Sequence, residues 1–462
     1  MAATREGKGL AVGPAIAWMA VVLGGAVLAL RPLPGGESTA LALTVACLGL
    51  WATGAIPEVV TAVIFFTAAM LLKAAPPGVV FVGFESAALW LIFGGLVMGV
   101  AVKETGLGDR IARRLCTLFG GSYGALIGGV ALVGTALGFL LPSSMGRAVL
   151  LMPIAVGLAA RAGFRPGSNG HLGVVLAAAF GCHVSTFAIL PANVPNLVMI
   201  GAAETLHYPT PTYGEYLLLH FPVLGVIKTL VLVALIVRMW PDTPRPETAE
   251  AAPAAFSRNE RVLSLVLAAA LVLWATDFLH HVSPAWVSMA AAVALLLPGI
   301  GLVDRHALNS KVNYGSMLFV AGIMGLGALV DSSGLGQRLA EAVIPLLPLA
   351  PGNPVGNFAG LAILATLVSL VTTLPGAPAV LTPLTGRLAE ASGLPVETVL
   401  MTQVLGFSNP ILPYQSAPLV VALQLGGERV APARTLCLIL ALITLLVLLP
   451  LDFLWWALLG RL

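Results

Sequence analysis

The sequence predicts an all-α polytopic membrane protein, with about eleven transmembrane helices and two re-entrant helical hairpins set in two inverted repeats. Three observations carry this expectation. Of the 462 residues, 58% are hydrophobic and 9% charged, whereas soluble globular proteins carry about 25% charged residues. Apolar runs of roughly 20 residues, long enough to cross a ~30 Å hydrocarbon core, recur from end to end. The second half of the chain also repeats the first.

Full spans are expected at 11–30, 38–56, 58–74, 86–104, 171–189, 216–239, 260–278, 283–300, 314–331, 396–408 and 434–457. Two further apolar stretches, 122–160 and 356–392, are each interrupted near the middle by Pro and Gly and read as hairpins. The first run lacks a cleavage site and reads as a retained span rather than a signal peptide. The one hydrophilic stretch, "PDTPRPETAEAAPAAFSRNE" at 241–260, reads as a flexible cytoplasmic linker dividing the chain almost in half.

Orientation follows from lysine and arginine, which favour the cytoplasmic side. If the N-terminus is cytoplasmic and both hairpins return to their own side, cytoplasmic segments hold sixteen of the 23 basic residues, among them Lys103, Arg110, Arg113, Arg114, Arg161, Arg165, Arg238, Arg245, Arg258 and Arg261. External segments hold five, namely Arg31, Lys73, Arg338, Arg387 and Arg461, while Arg147 and Lys228 lie at or near membrane depth. Treating the interrupted stretches as full spans weakens this bias, so the charges favour hairpins.

The repeat is legible along the chain, without a gap in its first block. "GLVMGVAVKETGLGDRIA" (95–112) aligns on "IMGLGALVDSSGLGQRLA" (323–340) at an offset of 228, with Gly99/Gly327, Gly106/Gly334 and Arg110/Arg338 identical. "SSMGRAVLLMP" (143–153) matches "TLPGAPAVLTP" (373–383) more loosely, and "LPANVPNLV" (190–198) echoes "LPYQSAPLV" (412–420). An odd number of crossings per half makes the repeats antiparallel, the architecture of many secondary transporters. Non-helical backbone at membrane depth is tolerated only where it faces protein or a water-filled cavity. A hairpin tip there presents helix N-termini that favour anions and unwound carbonyls that can hold a cation.

Other chemistries find little support. The basic residues are spread thinly over loops, which argues against nucleic acid. No His-Glu-x-x-His, Gly-x-Ser-x-Gly, Asp-rich or Walker pattern is present, so an intramembrane enzyme has no visible catalytic constellation. Cys47, Cys116, Cys182 and Cys437 are isolated in or beside apolar segments and read as small core residues. His183, in "FGCHVST", reads as a packed or hydrogen-bonded residue rather than a proton relay. A cation/proton antiporter or metalloid pump remains a competing transporter class, although the hairpin tips carry no Asp or Glu.

"LWATGAIPEVVTAVIFF" (50–66), "VFVGFESAALWLIFGGLVMGVAVKETGLGDRIARRL" (80–115) and "LPANVPNLVMIGAAE" (190–204) resemble conserved blocks of the divalent anion/sodium symporter family. The likeness runs from about residue 40 to 457 and is more specific in the first half. It implies a homodimeric elevator-type transporter of dicarboxylates, related carboxylates or sulfate, coupled to sodium. In that family each hairpin tip carries Ser-Asn-Thr, binding sodium on one side and a substrate carboxylate on the other. Here the tips read Ser143-Ser144-Met145 and Thr373-Leu374-Pro375, without either asparagine, and Gly54 replaces the glutamate of the first block. The Pro-rich loops read Ala192-Asn193-Val194-Pro195-Asn196 and Gln415-Ser416-Ala417-Pro418.

The resemblance assigns the anion to the hairpin tips and Pro-rich loops, Ser143, Ser144, Met145, Gly146, Asn193, Pro195, Asn196, Thr373, Pro375, Gly376, Ser416 and Pro418, and the charge at membrane depth adds Arg147 to the set. No enzyme cofactor is expected; coupling is expected by sodium symport or by exchange, and the resemblance places sodium at Ser143, Ser144, Ala192, Thr373 and Gln415. Residues 1–120 and 261–350 are expected to form scaffold, and 121–240 and 351–462 the transport unit. The expected setting is a bacterial inner membrane, with a small anion, the bilayer and a second copy of the chain as partners.

Arg147 sits inside the apolar run "GFLLPSSMGRAVLLMPIAVGLA" (138–159), where a charge costs roughly 3 kcal/mol or more. It either snorkels to the cytoplasmic surface or points into the cavity, where its planar fork can grip an anion in two-pronged fashion. A fixed guanidinium there can also supply the positive charge that sodium supplies elsewhere in the family.

Overall fold

The computed structural model describes residues 12–53, 55–108, 110, 122–141, 143–244, 255–372 and 374–462. Thr373, Gly54, Arg113, Arg114, Arg245, Cys116 and most of the inter-repeat linker therefore lie outside the described residues. Every regular element among those described is helical.

Two helices, α1 (Val12–Leu30) and α2 (Glu37–Thr53), lead into α3 (Glu58–Leu71) and α4 (Ala87–Thr105). The interrupted stretch 122–160 forms α5 (Tyr123–Gly138) and α6 (Ser144–Arg161). The sequence break is thus a real break in the backbone. The segment expected as one span at 171–189 is α7 (Asn169–Gly181), which stops short and continues through tight turns into α8 (Val194–Thr205). The repeat closes with α9 (Tyr213–Met239), a long apolar helix.

The second repeat follows the same order: α10 (Arg258–Ala275), α11 (Pro284–Leu296) and α12 (Tyr314–Ser332), then the amphipathic α13 (Leu335–Val343). Its interrupted stretch gives α14 (Pro354–Val371), then α15 (Gly376–Leu381) and α16 (Thr385–Ser392). The return arm is itself divided because Pro383 removes a backbone donor from its middle. Its broken helix is α17 (Val396–Phe407) and α18 (Ala417–Leu425), and α19 (Val430–Leu458) ends the chain. Six described helices are long and apolar enough to cross a membrane, α4, α6, α9, α12, α19 and the α7 segment extended to Ala188.

The 228-residue offset has a direct structural consequence. α4 packs on α11, and α12 packs on α3, so each repeat inserts its helix against the other repeat. Both crossings turn on a glycine. A Cβ on Gly94 would lie 2.6 Å from the backbone carbon of Ser288, and one on Gly322 would lie 2.8 Å from the Cβ of Ala62. Removing the side chain lets the helix backbones approach, the usual device where no water is available to drive packing. Gly106 and Gly334, also one offset apart, both take the left-handed conformation at φ 72° and 84°. There a residue with a Cβ would be strained.

The hairpins interlock with the broken helices. α6 packs on α7 of its own repeat and on α18 of the other, while α8 packs on α15. α9 and α19 each contain a π-helical segment, Phe221–Ile227 with Pro222 as its second residue and Thr444–Leu448 with Pro450 two residues after its end. A proline cannot donate to the helical ladder, so the local widening has a covalent cause. The linker is tied down at both ends. Asp242 accepts from the Gly170 backbone at 2.8 Å, and Glu260 pairs with Arg110 at 2.5 Å.

Candidate functional site

The first hairpin tip is built by capping. Ser143 precedes α6, and its hydroxyl accepts the Gly146 N–H at 3.1 Å, satisfying one of the orphan donors of the helix start. Arg147 follows three residues after Ser144, on the face turned towards the broken helix α7–α8. Its side chain is fully buried.

The guanidinium is ringed by oxygen. Nε donates to the Cys182 carbonyl at 2.9 Å. Nη1 donates to the carbonyls of Leu141 and Ala192, the latter at 2.8 Å. Nη2 reaches Ser144 Oγ at 3.0 Å, Thr186 Oγ1 at 2.8 Å and Asn193 Oδ1 at 3.2 Å. Ser144 in turn donates to Asn193 Oδ1, and Asn193 Nδ2 donates to Thr186 Oγ1 at 3.0 Å. Cys182 caps the C-terminal end of α7, where free carbonyls carry partial negative charge. None of the six partners is a carboxylate, so the ring solvates the cation without neutralising it.

This geometry revises the sequence reading of Arg147. The side chain neither snorkels nor aims its fork into a cavity. It faces the broken helix, and every nitrogen is engaged by the protein. Ser144, Ala192 and Asn193, expected to bind the anion or sodium, are engaged with it.

The second repeat has a counterpart. α17 ends at Phe407 and is capped by Ser408, and the buried Lys228 Nζ of α9 donates to the Ser408 carbonyl at 2.9 Å. A built-in cation thus sits on the end of the first half of each broken helix. By sequence Lys228 lies at or near membrane depth, with no role expected for it. Its signal was that of a lone charge in "GVIKTLVLV".

A cavity of about 950 Å³ runs between α4 and α6. Its inner end is formed by Leu141, Ser143, Met145 and Gly146 at the start of α6. From there Leu150, Ile154, Gly157 and Arg161 line it along one helical face, opposite Gly95, Gly99 and Lys103 of α4. Lys103, Arg161 and Lys311 stand near its far end, with Glu104 bound to Lys311 at 2.8 Å. The inner end lies at a helix N-terminus directly over the buried Arg147 charge, which favours an anion.

Of the expected site residues, Ser143, Met145 and Gly146 border this cavity, whereas Arg147, Ser144, Ala192 and Asn193 lie behind its floor. Pro195, Asn196, Pro375, Gly376, Gln415, Ser416 and Pro418 are not in its described lining. Asn196 Nδ2 stitches the turn before α8, donating to Phe187, Ile189 and Leu190 carbonyls at 3.0–3.2 Å. Gln415 Oε1 accepts the Ile411 and Leu412 N–H groups at 2.8 Å, and its amide donates to Ser369. Ser416 Oγ caps α18 by accepting from Leu419.

These engagements decide the fit of sodium. The Ala192 carbonyl and Ser144 hydroxyl already serve the guanidinium, Gln415 is committed at both ends, and Ser143 caps α6. Among the described residues, the expected donors do not form an open set for the ion. Cys182 and Thr186, absent from the sequence-derived site, complete the ring instead. No local signal marks them, since they lie 35 and 39 residues from Arg147.

A sequence profile described as "Sodium:sulfate symporter transmembrane region" matches residues 15–462. A "Membrane protein" of Cupriavidus necator is 26% identical over 278 residues, 58% of this chain and 54% of that protein. "Dicarboxylate transporter 2.2, chloroplastic" of Arabidopsis thaliana is 26% identical over 311 residues, 64% of this chain and 56% of that one. The chain thus spans about half the length of these two relatives. "L-tartrate/succinate antiporter" of Escherichia coli K12 is 25% identical over 342 residues, 68% of this chain and 67% of its own. The crystal structure of the Alcanivorax borkumensis YdaH transporter superposes with a TM-score of 0.58 at 16% identity, covering 88% of this chain and 99% of that one.

Proposed function

This chain belongs to the sodium:sulfate symporter transmembrane family, and we propose that it is a secondary carrier of dicarboxylate-class anions that works without sodium. The observation that carries this reading is the Arg147 guanidinium, buried in six oxygen contacts with no carboxylate among them. A buried charge without a counter-ion is costly. An anion at the start of α6 supplies that counter-charge, and a fixed guanidinium makes a bound metal cation redundant. The names of the Arabidopsis and Escherichia relatives support dicarboxylates as the class.

In this reading the anion enters along the α4–α6 cavity, drawn by Lys103, Arg161 and Lys311. It docks against the N–H groups at the start of α6, where Ser143, Met145 and Gly146 shape the pocket. Arg147 acts from behind, through its field and by holding the tip against α7 and α8. Residues 1–120 and 261–350 form the scaffold of a homodimer, and 121–240 and 351–462 the part that moves in an elevator motion. The protein sits in a bacterial inner membrane with its N-terminus cytoplasmic.

The test is succinate binding to purified protein in sodium and in choline buffer. Equal affinity is expected, and a drop of tenfold or more in choline defeats the sodium-free reading. Arg147→Met is expected to weaken succinate binding by about 10- to 150-fold, the equivalent of roughly 1.5–3 kcal/mol for a charge-assisted interaction in a dry site. Unchanged affinity in that variant removes Arg147 from anion binding.

A further inference from the structure

The seam between α9 and α19 holds polar groups that the anion site does not use. Asp452 of α19 is 1% exposed, and its Oδ1 has no hydrogen-bond partner. Neither ring nitrogen of the fully buried His220 on α9 has a partner, nor has Trp456 Nε1 on α19. Buried polar groups are almost always paired, so a run of exceptions on one seam calls for a functional reason. An apolar side chain would fill each position at lower cost.

These groups are ordered in depth. The His220 ring lies 5.6 Å from Trp456, and Trp455 Nε1 donates to the Leu218 carbonyl, so residues 455–456 are level with 218–220. Further along, the π-helical segments 221–227 and 444–448 pack on each other, and Lys228–Met239 packs on Val430–Ile443. Position numbers therefore fall along α19 as they rise along α9, and the two helices run antiparallel. Asp452 lies one helical turn from Trp456, about 6 Å deeper, and Lys228 two turns from His220, about 12 Å deeper. Asp452 is consequently set between His220 and Lys228. At the outer end of the seam Glu215 pairs with Arg461 at 3.1 Å, and both are solvent-exposed. Both helices carry their π-helical segments along this stretch, a distortion frequent at functional sites.

We infer that His220, Asp452 and Lys228 form a proton-binding relay, and that the proton is the ion this carrier couples to anion movement. A proton arriving from the Glu215 end passes to the His220 imidazole and then to the Asp452 carboxylate. Asp452 becomes a neutral carboxyl group, and Lys228 remains an ammonium ion on the Ser408 carbonyl. The charge count gives the step its purpose. With Asp452 ionised, Arg147, Lys228 and Asp452 sum to +1; with Asp452 protonated they sum to +2, which a dicarboxylate of charge −2 cancels. The loaded, protonated carrier is then neutral at its centre. This count rests on the anion reading above.

The remaining charged and titratable neighbours are few. Cys437 lies on α19, His183 follows the end of α7, and Tyr216 packs tilted against His220, ring centroids 4.6 Å apart, while donating to the Phe187 carbonyl. α14, which packs on the last turns of α19 through Phe358, has no titratable side chain in Pro354–Val371. Asp452 is thus the only carboxylate on the buried seam among the described residues.

The test uses full-length protein in liposomes with radiolabelled succinate and an acid-outside pH gradient, without sodium. The parent is expected to accumulate succinate at least tenfold over the same vesicles at equal pH. Asp452→Asn, which cannot take up the proton, is expected to lose that accumulation, and Asp452→Glu to regain most of it. Accumulation by Asp452→Asn equal to the parent overturns the relay. Infrared difference spectra between acid and alkaline buffer supply a reading independent of any transported anion. The parent is expected to show the C=O stretch of a protonated, water-poor carboxyl group, absent from Asp452→Asn. A band that persists in that variant, or no such band in the parent, also overturns the relay. Sodium-dependent succinate binding would defeat the Arg147 reading alone, leaving the infrared band to judge Asp452.

Discussion

The two broken helices end in the same way and are served by very different cations. At the end of α7, Arg147 makes six contacts to oxygen and has no free donor direction. At the end of α17, Lys228 donates to the Ser408 carbonyl, and Asp452 of the adjoining α19 has an unpaired oxygen. Guanidinium does not lose its proton in proteins, whereas in the relay the Asp452 carboxyl group beside the Lys228 ammonium gains and loses one. The first repeat thus holds a permanent charge and the second a variable one. Related halves of one fold have been given separate duties, the first to balance the anion and the second to exchange a proton.

The strongest way to break this comparison is to remove each cation. Arg147→Met strands three carbonyls and a hydroxyl–amide network, and is expected to destabilise the protein by about 3–5 kcal/mol, as for other broken buried charge networks. Lys228→Met loses one charge-assisted hydrogen bond, about 1.5–3 kcal/mol. Thermal unfolding in detergent orders the two, and a Lys228→Met loss equal to that of Arg147→Met would end the claim that their duties differ. Arg147→Lys sharpens it further. Three donors on a point charge cannot reach six oxygens, so lysine is expected to recover less than half of the Arg147→Met loss.

A second comparison concerns the paired helix crossings. Gly94→Ala drives its Cβ to 2.6 and 2.7 Å from the Ser288 backbone carbon and oxygen, whereas Gly322→Ala meets the Ala62 methyl group at 2.8 Å and the nearest backbone atom only at 3.2 Å. Overpacking of this kind costs about 1–3 kcal/mol, and the Gly94 variant is expected at the upper end. An equal loss at both sites in the same melting assay would show that backbone and side-chain clashes relax alike here.

The smallest effect is expected at the cavity mouth. Lys103→Gln should lower the rate of succinate binding by less than about threefold and flatten its dependence on salt, because exposed charges steer ligands and are readily screened. A tenfold loss that persists in high salt would mean that Lys103 touches the anion.

Much of this organisation is legible along the chain. Pro142, Ser143, Ser144 and Gly146 announce the first hairpin break, and the 228-residue offset announces the paired crossings. Arg147 and Lys228 stand out because charge is rare in apolar runs, and Asp452 in "LLPLDFLWW" carries the same signal. The direction in which each side chain points is not legible in this way. Arg147 was expected at the anion, and it faces the broken helix because the Cys182 and Ala192 carbonyls, free at a helix end, are better partners than a cavity wall. The loop bonds of the expected ligands Gln415 and Asn196 are invisible in one dimension. Gln415 is held by Ile411, Leu412 and Ser369, and the Asn196 amide nitrogen by three carbonyls of the preceding turn, while its Oδ1 has no partner.

By itself the sequence determined the membrane class, the two repeats, the places where helices must break and the small set of charges buried among apolar residues. Each of these follows from composition, periodicity or local backbone chemistry, properties carried by neighbouring residues. Only the tertiary structure decided what those charges do. A hydrogen-bond ring around Arg147 needs oxygens from residues 141, 144, 182, 186, 192 and 193, and the relay needs α9 and α19 side by side although more than two hundred residues separate them. Electrostatic and hydrogen-bond energies depend on distance in space and on the exclusion of water, and neither is set until the helices have packed.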